Sequence, residues 1–484
     1  MTIRVLSVAS EAFPLIKTGG LADVVGALPA ALAPHGVAVT TLIPAYPAVL
    51  KAVKRTKIVH EWPDLLGVEA RLIAGKIDGH PLLLIDAPAL FAREGGPYGD
   101  ATGKDWQDNG LRFAVLSKAA ADIGLGVVKG RSFDLVHAHD WQAAMVPAYL
   151  HYAKTKSPRP KSVITIHNIA FQGRFEAALF KKVGLPAAAW GIEGVEYFGG
   201  VGFLKAGLAT ADAITTVSPT YAHEIRMAEF GMGLEGLIVA RAGEVHGILN
   251  GIDGAIWNPA TDTALAANYT SPSKRVANKR AVEKAFGLER GDGPLFIIIS
   301  RLTWQKGMDL LVEALDALVG MGGRLAVLGS GDAALENAFQ AAATRHPGRI
   351  AINRGYDEPL SHLMQGGGDA ILIPSRFEPC GLTQLYGLAY GCVPIVARTG
   401  GLADSVIDAN EAALAAGVAT GLQFDLTKPE AITHVLTHAT QLFARKAEWK
   451  RMQQQGMKAD FSWGSSGARY AALYRDLLTP SEAV

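Results

Sequence analysis

Cysteine is nearly absent: Cys380 and Cys392 are the two in 484 residues. That is too few for a disulfide scaffold, the pair makes no metal motif, and both facts suit a reducing compartment. An excess of charge of one sign is also missing, since 46 Lys and Arg face 45 Asp and Glu. Without a basic block, neither nucleic acid nor an anionic membrane surface is an expected partner. No uninterrupted apolar run is long enough to span a bilayer, and Glu11 with the following glycines interrupts the first apolar stretch too early for a signal peptide. A cytoplasmic location is therefore expected. Nor is there any Asp-x-Asp pair. An enzyme acting on a nucleoside diphosphate stabilises the departing phosphate with a carboxylate-bound divalent ion or with positive side chains and helix dipoles. The sequence points to the second solution, with no metal and no other cofactor.

What is present is a globular pattern. Hydrophobic residues make up 49% and charged residues 19%, and the length exceeds what one core supports, so two domains are expected. Short runs rich in Val, Ile and Leu recur at 3–9, 37–43, 81–85, 133–138, 162–166, 213–217, 296–300, 324–328, 349–353, 370–373 and 393–397. They alternate with helical patterns and do not alternate cleanly between apolar and polar residues, which is how parallel strands buried on both faces read. The fold class is α/β, as two Rossmann-like doubly wound halves. A turn-rich segment, Gly247-Ile248-Leu249-Asn250-Gly251-Ile252-Asp253, divides a first domain, 1–246, from a second, 247–460. Ligand is expected at the carboxyl ends of strands, in a cleft between the halves.

The first strand runs into Lys17-Thr18-Gly19-Gly20-Leu21 and then a helix whose apolar face is Leu21, Val24, Val25, Leu28 and Leu32. Glycines at such a join let backbone N–H groups and the positive helix end approach an anion, and Lys17 adds a full charge. A glycine-rich turn that binds nothing is the other reading. Thr18-Gly19-Gly20-Leu21-Ala22-Asp23 recurs as Thr399-Gly400-Gly401-Leu402-Ala403-Asp404, too short to count as an internal repeat.

In the second half, Arg301 ends a strand and Lys306 follows just before a helix. A guanidinium can grip two phosphate oxygens while an ammonium supplies compact charge, a pairing suited to a leaving diphosphate. The next loop, Ser375-Arg376-Phe377-Glu378-Pro379-Cys380-Gly381-Leu382-Thr383, places Glu378 where it can accept from sugar hydroxyls, and Gly381, Leu382 and Thr383 where they can present N–H groups. Cys380 reads as a packed thiol. His137 and His139 share one face of a strand end, followed by Asp140 and Trp141, and His167 ends the next strand. A metallohydrolase would need further ligands at recognisable spacing; His167 instead suits a neutral hydrogen-bonding role beside a sugar. Gly329-Ser330-Gly331-Asp332-Ala333-Ala334 satisfies a lone G-x-G-x-x-A, but the acidic residue of a dehydrogenase fingerprint is missing at Ile350-Ala351-Ile352-Asn353-Arg354.

These motifs, with Thr165 to Gln172, Phe203 to Pro219 and Asn250 to Asp253, resemble the bacterial glycogen synthases, ADP-glucose-dependent relatives of plant starch synthases, over nearly the whole chain. The resemblance implies a GT-B fold, with a final helix in 461–484 returning to the first domain. It also implies retaining, metal-independent transfer of glucose from ADP-glucose to the non-reducing end of an α-1,4-glucan such as glycogen. Carried over by motif, Lys17, Gly19 and Gly20 lie at the donor, Arg301 and Lys306 hold its diphosphate, and Tyr356, Gly381, Leu382 and Thr383 contact its nucleotide side. His167 and Glu378 face the glucosyl unit, and Asp140 is similar to a family residue important for activity. Tyr98, Trp106 and Asn109 mark the acceptor side. In the wider retaining GT-B pattern two glutamates are separated by seven intervening residues; here the second position is Tyr386, which cannot bind a ribose as a carboxylate would. A noncatalytic glucan-binding protein is the rival from another class, and oligomeric state is not legible.

Overall fold

The computed structural model describes residues 2–155, 158–426 and 430–479. They fall into two compact units, one reaching Gly251 and taking in the segment from Trp463, the other Ile252–Ser462. The first unit holds on a few residues beyond 246 because the Ile248 amide still donates to Thr216 on its sheet.

Among the described residues the first unit carries nine strands in one sheet. Their order is Val245–Gly247, Ala213–Thr216, Lys161–Ile166, Leu135–His139, Ile3–Val8, Val37–Pro44, His80–Asp86, Val68–Ile77 and Lys57–Leu65. The first seven are parallel, and the last two form an antiparallel hairpin at the edge. The chain's direction across the sheet reverses between Ile3–Val8 and Leu135–His139. In doubly wound sheets ligands bind beyond the strand ends at such a reversal, and here the two trailing loops carry Lys17 to Gly20 and Asp140.

The second unit repeats the logic. Its six strands are all parallel, in the order Ile350–Asn353, Arg324–Leu328, Leu295–Ile299, Ala370–Ile373, Val393–Ala397 and Leu422–Phe424. This is the 3-2-1-4-5-6 arrangement of a mononucleotide-binding pair. Phe296 and Ile298 enter one core, whereas Leu295 and Ile297 enter the other, as the two-residue period of a strand covered on both faces requires. The reversal falls between Leu295–Ile299 and Ala370–Ile373, whose trailing loops contain Arg301 and Glu378.

The helix Trp463–Leu478 belongs to the first unit. Tyr470, Ala471, Leu473 and Tyr474 pack with Val5, Leu28, Leu32 and Leu135. Gly467 permits the approach, since a Cβ there would lie 2.4 Å from the Ala31 carbonyl oxygen. Of the segment 461–484 assigned to this helix from sequence, 480–484 lie outside the described residues. No helix among the described residues is long and apolar enough to cross a membrane.

Candidate functional site

In the first unit the glycine loop is held by a carboxylate that the sequence reading passed over. Glu11 is buried at the end of the first strand, accepts from the Thr18 amide and, at 2.8 Å, from the Thr18 hydroxyl, and takes a third bond of 2.7 Å from the Tyr98 hydroxyl. Ser10 lies 2.8 Å from the same hydroxyl. Burial and the neighbouring Glu11 push the Tyr98 hydroxyl well above its ordinary pKa, so it stays protonated and donates. Its place directly after a strand is the sequence signal that could have singled out Glu11. Gly19 starts the helix Gly20–Leu32 in extended conformation with no side-chain cap, so the first amides of that helix lack an internal partner of that kind. Lys17 pairs with Asp23 at 2.8 Å on the open surface.

Of the aromatic segment assigned to the acceptor, Tyr98 is thus tied to the glycine loop. Asn109 is buried and internally engaged: its amide nitrogen donates to the Tyr98 carbonyl at 2.8 Å and its oxygen accepts from Arg112 at 2.6 Å. Trp106 carries Arg93 on its ring at 5.1 Å, with Arg93 also forked onto Asp108 at 2.9 and 2.6 Å.

Asp140, His137 and His139, all buried, form one array with the half-buried His167. Asp140 adopts a left-handed φ of 57°, which few non-glycine residues tolerate but aspartate does better than most. Its Oδ1 accepts from the backbone amides of His167 at 2.9 Å and Asn168 at 3.4 Å. Burial raises its pKa to about 7 against the pull of those amides, and Glu11 adds to the rise. His139 Nδ1 lies 3.1 Å from His167 Nε2, and its Nε2 lies 3.2 Å from the Ser7 hydroxyl. His137 is bonded to the hydroxyls of Tyr474 and Thr165, at 2.7 and 2.6 Å. Burial lowers His137 and His167 to about 3, and His139 well below its ordinary value, so all three rings are neutral near pH 7. His167 therefore offers a hydrogen-bonding imidazole rather than a cation.

Asp140→Asn keeps an oxygen for the two amides but cannot ionise. A carboxyl with a pKa of about 7 folded and an ordinary value unfolded binds more protons in the fold across that window. Its presence therefore lowers stability as pH rises from about 4 to about 7. Asp140→Asn is expected to gain stability on the parent over that range, read from urea midpoints; a constant difference would place the Asp140 pKa at its ordinary value.

In the second unit Arg301 is exposed, and its guanidinium has no partner among the described residues. Lys306 instead pairs with Glu378, whose Oε2 also accepts from the Ser375 hydroxyl at 2.9 Å. Glu378 is buried, and its Oε1 has no partner among the described residues. The two loops are bound together further along: Arg376 forks onto Asp309 at 2.7 and 2.8 Å, and its own amide donates to the Gln305 carbonyl at 2.9 Å. The 329–331 glycines serve the Arg301 loop. A Cβ on Gly329 would lie 1.9 Å from the Ser300 carbonyl oxygen and one on Gly331 2.4 Å from that of Leu302. These glycines follow the second strand of the sheet rather than the first, where a dinucleotide fingerprint belongs. Gly381, at φ 71°, precedes the helix Thr383–Tyr390, with Leu382 at its cap. Tyr356 is 71% exposed beyond the edge strand Ile350–Asn353. Tyr386 lies flat against Trp257, ring centres 3.6 Å apart.

The two copies of the repeated hexapeptide differ in what surrounds their glycines. A Cβ on Gly401 would stand 2.2 Å from the Cys380 carbonyl oxygen, and one on Gly400 2.0 Å from that of Glu378, so the second copy is a packing device under the Glu378 loop. Gly19 and Gly20 have nothing within 4 Å of that position. Gly401→Ala is expected to cost about 1–3 kcal/mol in urea unfolding, as overpacking against backbone does. Gly19→Ala is expected to stay within about 0.5 kcal/mol of the parent. Similar losses in both would remove the distinction.

Residues 4–240 match the starch synthase catalytic domain, and residues 279–446 match the group 1 glycosyl transferases. A glycogen synthase of Novosphingobium aromaticivorans is 64% identical over the full length of both chains. One of Mesorhizobium japonicum is 59% identical over 99% of each. The catalytic domain of starch synthase IV from Arabidopsis thaliana, solved with ADP and acarbose, is 31% identical over 99% of this chain and 100% of its own, with a TM-score of 0.86. A sucrose-phosphate synthase of Thermosynechococcus elongatus, at 18% identity and a TM-score of 0.60, shares the fold. That fold is GT-B, with two Rossmann-like domains.

Proposed function

This chain belongs to the family of bacterial glycogen synthases and plant starch synthases, and on that premise we propose the details of the glucosyl transfer it performs. The donor is ADP-glucose, the acceptor is the 4-hydroxyl at the non-reducing end of an α-1,4-glucan, the anomeric configuration is retained, and no metal ion takes part. The observation that carries this reading is the pair of loops at the sheet reversal of the second unit. There an unpartnered guanidinium, Arg301, shares a loop with Lys306, and Lys306 is fixed by a buried Glu378 that still has one carboxylate oxygen to offer.

Arg301 and Lys306 hold the diphosphate and neutralise the charge that grows on it as the bond to glucose breaks. Preorganised charge of this kind is worth most where water is excluded. The amides at Gly381, Leu382 and Thr383, and those at Gly19 and Gly20, add dipoles of the same sign. Glu378 Oε1 accepts from a sugar hydroxyl, and Tyr356 contributes an exposed ring on the nucleotide side. His167, neutral and positioned by His139 and Asp140, donates or accepts beside the glucosyl unit without bringing charge to an oxocarbenium-like carbon. Lys17 is drawn from Asp23 towards the donor. Trp106, one face covered by Arg93, offers the other to a glucan ring, with Tyr98 and Asn109 setting the loop that carries it. Attack occurs on the face the leaving phosphate departs from, which retains configuration.

The test is the linkage made. Radiolabelled ADP-glucose and maltoheptaose should give longer chains whose label β-amylase releases as maltose, because that enzyme cuts α-1,4 bonds from the non-reducing end. Label that resists release would contradict the assigned linkage.

A further inference from the structure

Charge balances over the whole chain, 46 cations against 45 acids, but not everywhere within it. Residues 51–59 hold Lys51, Lys54, Arg55 and Lys57, residues 125–132 hold Lys129 and Arg131, and neither segment contains an acid. None of these six side chains has an ion-pair or hydrogen-bond partner among the described residues. The segments are far apart in sequence, and the fold brings them together. Lys57, Ile58 and Val59 form one bank of a cleft in the first unit, and Val128, Lys129 and Arg131 the other, around a volume of about 480 Å³. No carboxylate lines it. The acid nearest to Arg131 along the chain, Asp134, is already forked by Arg4 at 2.7 and 3.1 Å.

Both banks are fixed by apolar anchors rather than by the charges themselves. Val53 is buried against Gly75, where a Cβ would lie 2.5 Å from its Cγ1, and Lys57 then pairs with Ala74 in the edge hairpin. Val128 is buried, and the Arg131 amide donates to its carbonyl at 3.2 Å across a turn with Gly130 at φ 75°. Three cations are thus held around one hollow with no acid to neutralise them. Like charges gathered in this way repel one another and focus a field that a bound anion relieves. The cleft also stands apart from the donor loops. Lys57 opens the strand Lys57–Leu65, which is antiparallel to a neighbour that is itself antiparallel to His80–Asp86, so it runs with the parallel strands. Residues 128–131 precede the strand Leu135–His139. Both banks therefore lie at amino ends of strands, whereas Lys17 to Gly20 and Asp140 follow carboxyl ends.

We propose that this cleft binds a small phosphorylated molecule, at a site separate from the donor's. Its volume is that of a small-ligand pocket. The Arg131 guanidinium can fork onto two phosphate oxygens while Lys57 and Lys129 supply compact charge from opposite banks. Ile58, Val59 and Val128 give the carbon skeleton of such a molecule an apolar surface.

The probe is inorganic pyrophosphate, titrated calorimetrically into the full chain carrying Arg301→Ala, so that the phosphate grip of the second unit contributes little. Binding is expected, weakening as salt rises. Adding Lys129→Ala and Arg131→Ala should weaken it at least about tenfold, as loss of two charge-assisted contacts implies. Lys57→Ala, on the opposite bank, should weaken it as well. These side chains hold no partner, so melting temperatures should not move. The same change of charge at the exposed Lys181 and Lys182 should leave the affinity as it was. With Arg301 intact, the Lys129 and Arg131 changes should leave kcat and both KM values for glucosyl transfer unaltered. Absence of pyrophosphate binding, or binding indifferent to Lys57, Lys129 and Arg131, overturns the site. An equal loss from the Lys181 and Lys182 changes makes the affinity a property of net charge and also overturns it. Slower transfer in the Lys129 and Arg131 variant overturns its separation from the donor site. Phosphatidylglycerol vesicles bound through these cations, with no pyrophosphate bound, would make the face a membrane contact instead.

Discussion

Arg301→Ala is expected to lower kcat/KM for ADP-glucose by about a hundredfold or more, the scale of losing one preorganised charge stabiliser. The fold should not notice. The guanidinium is exposed and has no partner among the described residues, so its removal strands no other group. The loop keeps its place through Leu302, which is fully buried, with its amide donating to the Ser330 carbonyl at 2.9 Å and its carbonyl accepting from the Asp332 amide at 2.8 Å. Urea unfolding should agree with the parent within about 0.5 kcal/mol. If charge on the departing phosphate is what Arg301 meets, the loss falls mainly on kcat, and Arg301→Lys recovers only part of it because an ammonium lacks the planar fork. Turnover near the parent value in Arg301→Ala would remove the residue from the site.

Lys306→Ala should fail in two ways at once. It removes the second cation, with a comparable fall in turnover, and it leaves Glu378 buried beside Ser375 without its ion-pair partner. Breaking a buried pair by deleting one member costs about 3 kcal/mol or more, because the remaining charge is uncompensated. Glu378→Gln in the same chain should return most of that stability, since a neutral amide can still bond Ser375, while restoring no activity. The double mutant separates the structural work of the pair from its chemistry. Parent-like stability in Lys306→Ala alone would mean that Glu378 is not held by Lys306, and recovered turnover in the double mutant would mean that neither group acts on the donor.

The parallel cores were legible because their strands are short, almost wholly apolar runs, such as Leu295–Ile299 and Arg324–Leu328. The edge hairpin Lys57–Leu65 with Val68–Ile77 was not. Its first strand is largely exposed, holds Pro63 and slips register between Trp62 and Leu65, all features that weaken a strand signal. Leu422–Phe424 is too short to register. Among the candidate residues, Arg301, Asp140 and His167 were singled out because they follow strands, and Lys306 and Glu378 because they lie on loops that strands deliver. Their partners could not be found that way. The Lys306 and Glu378 pair spans 72 residues of sequence, and nothing local predicts it. Glu11 read as an interruption of an apolar run, whereas its burial against Thr18 and Tyr98 is tertiary. The repeated hexapeptide gives the sharpest lesson: identical residues are a packing wedge at Gly400 and Gly401 and an open loop at Gly19 and Gly20. Neighbours make that difference, and local sequence does not contain them.

The central claim is that positive side chains and backbone dipoles, without a metal, carry the charge of a departing ADP. It is tested most directly by glucan elongation with ADP-glucose or UDP-glucose in excess EDTA, following incorporation of labelled glucose. The account predicts undiminished transfer from ADP-glucose and much slower transfer from UDP-glucose. Activity that vanishes with EDTA and returns only with a divalent ion would contradict the metal-free mechanism, and a preference for UDP-glucose would contradict the donor.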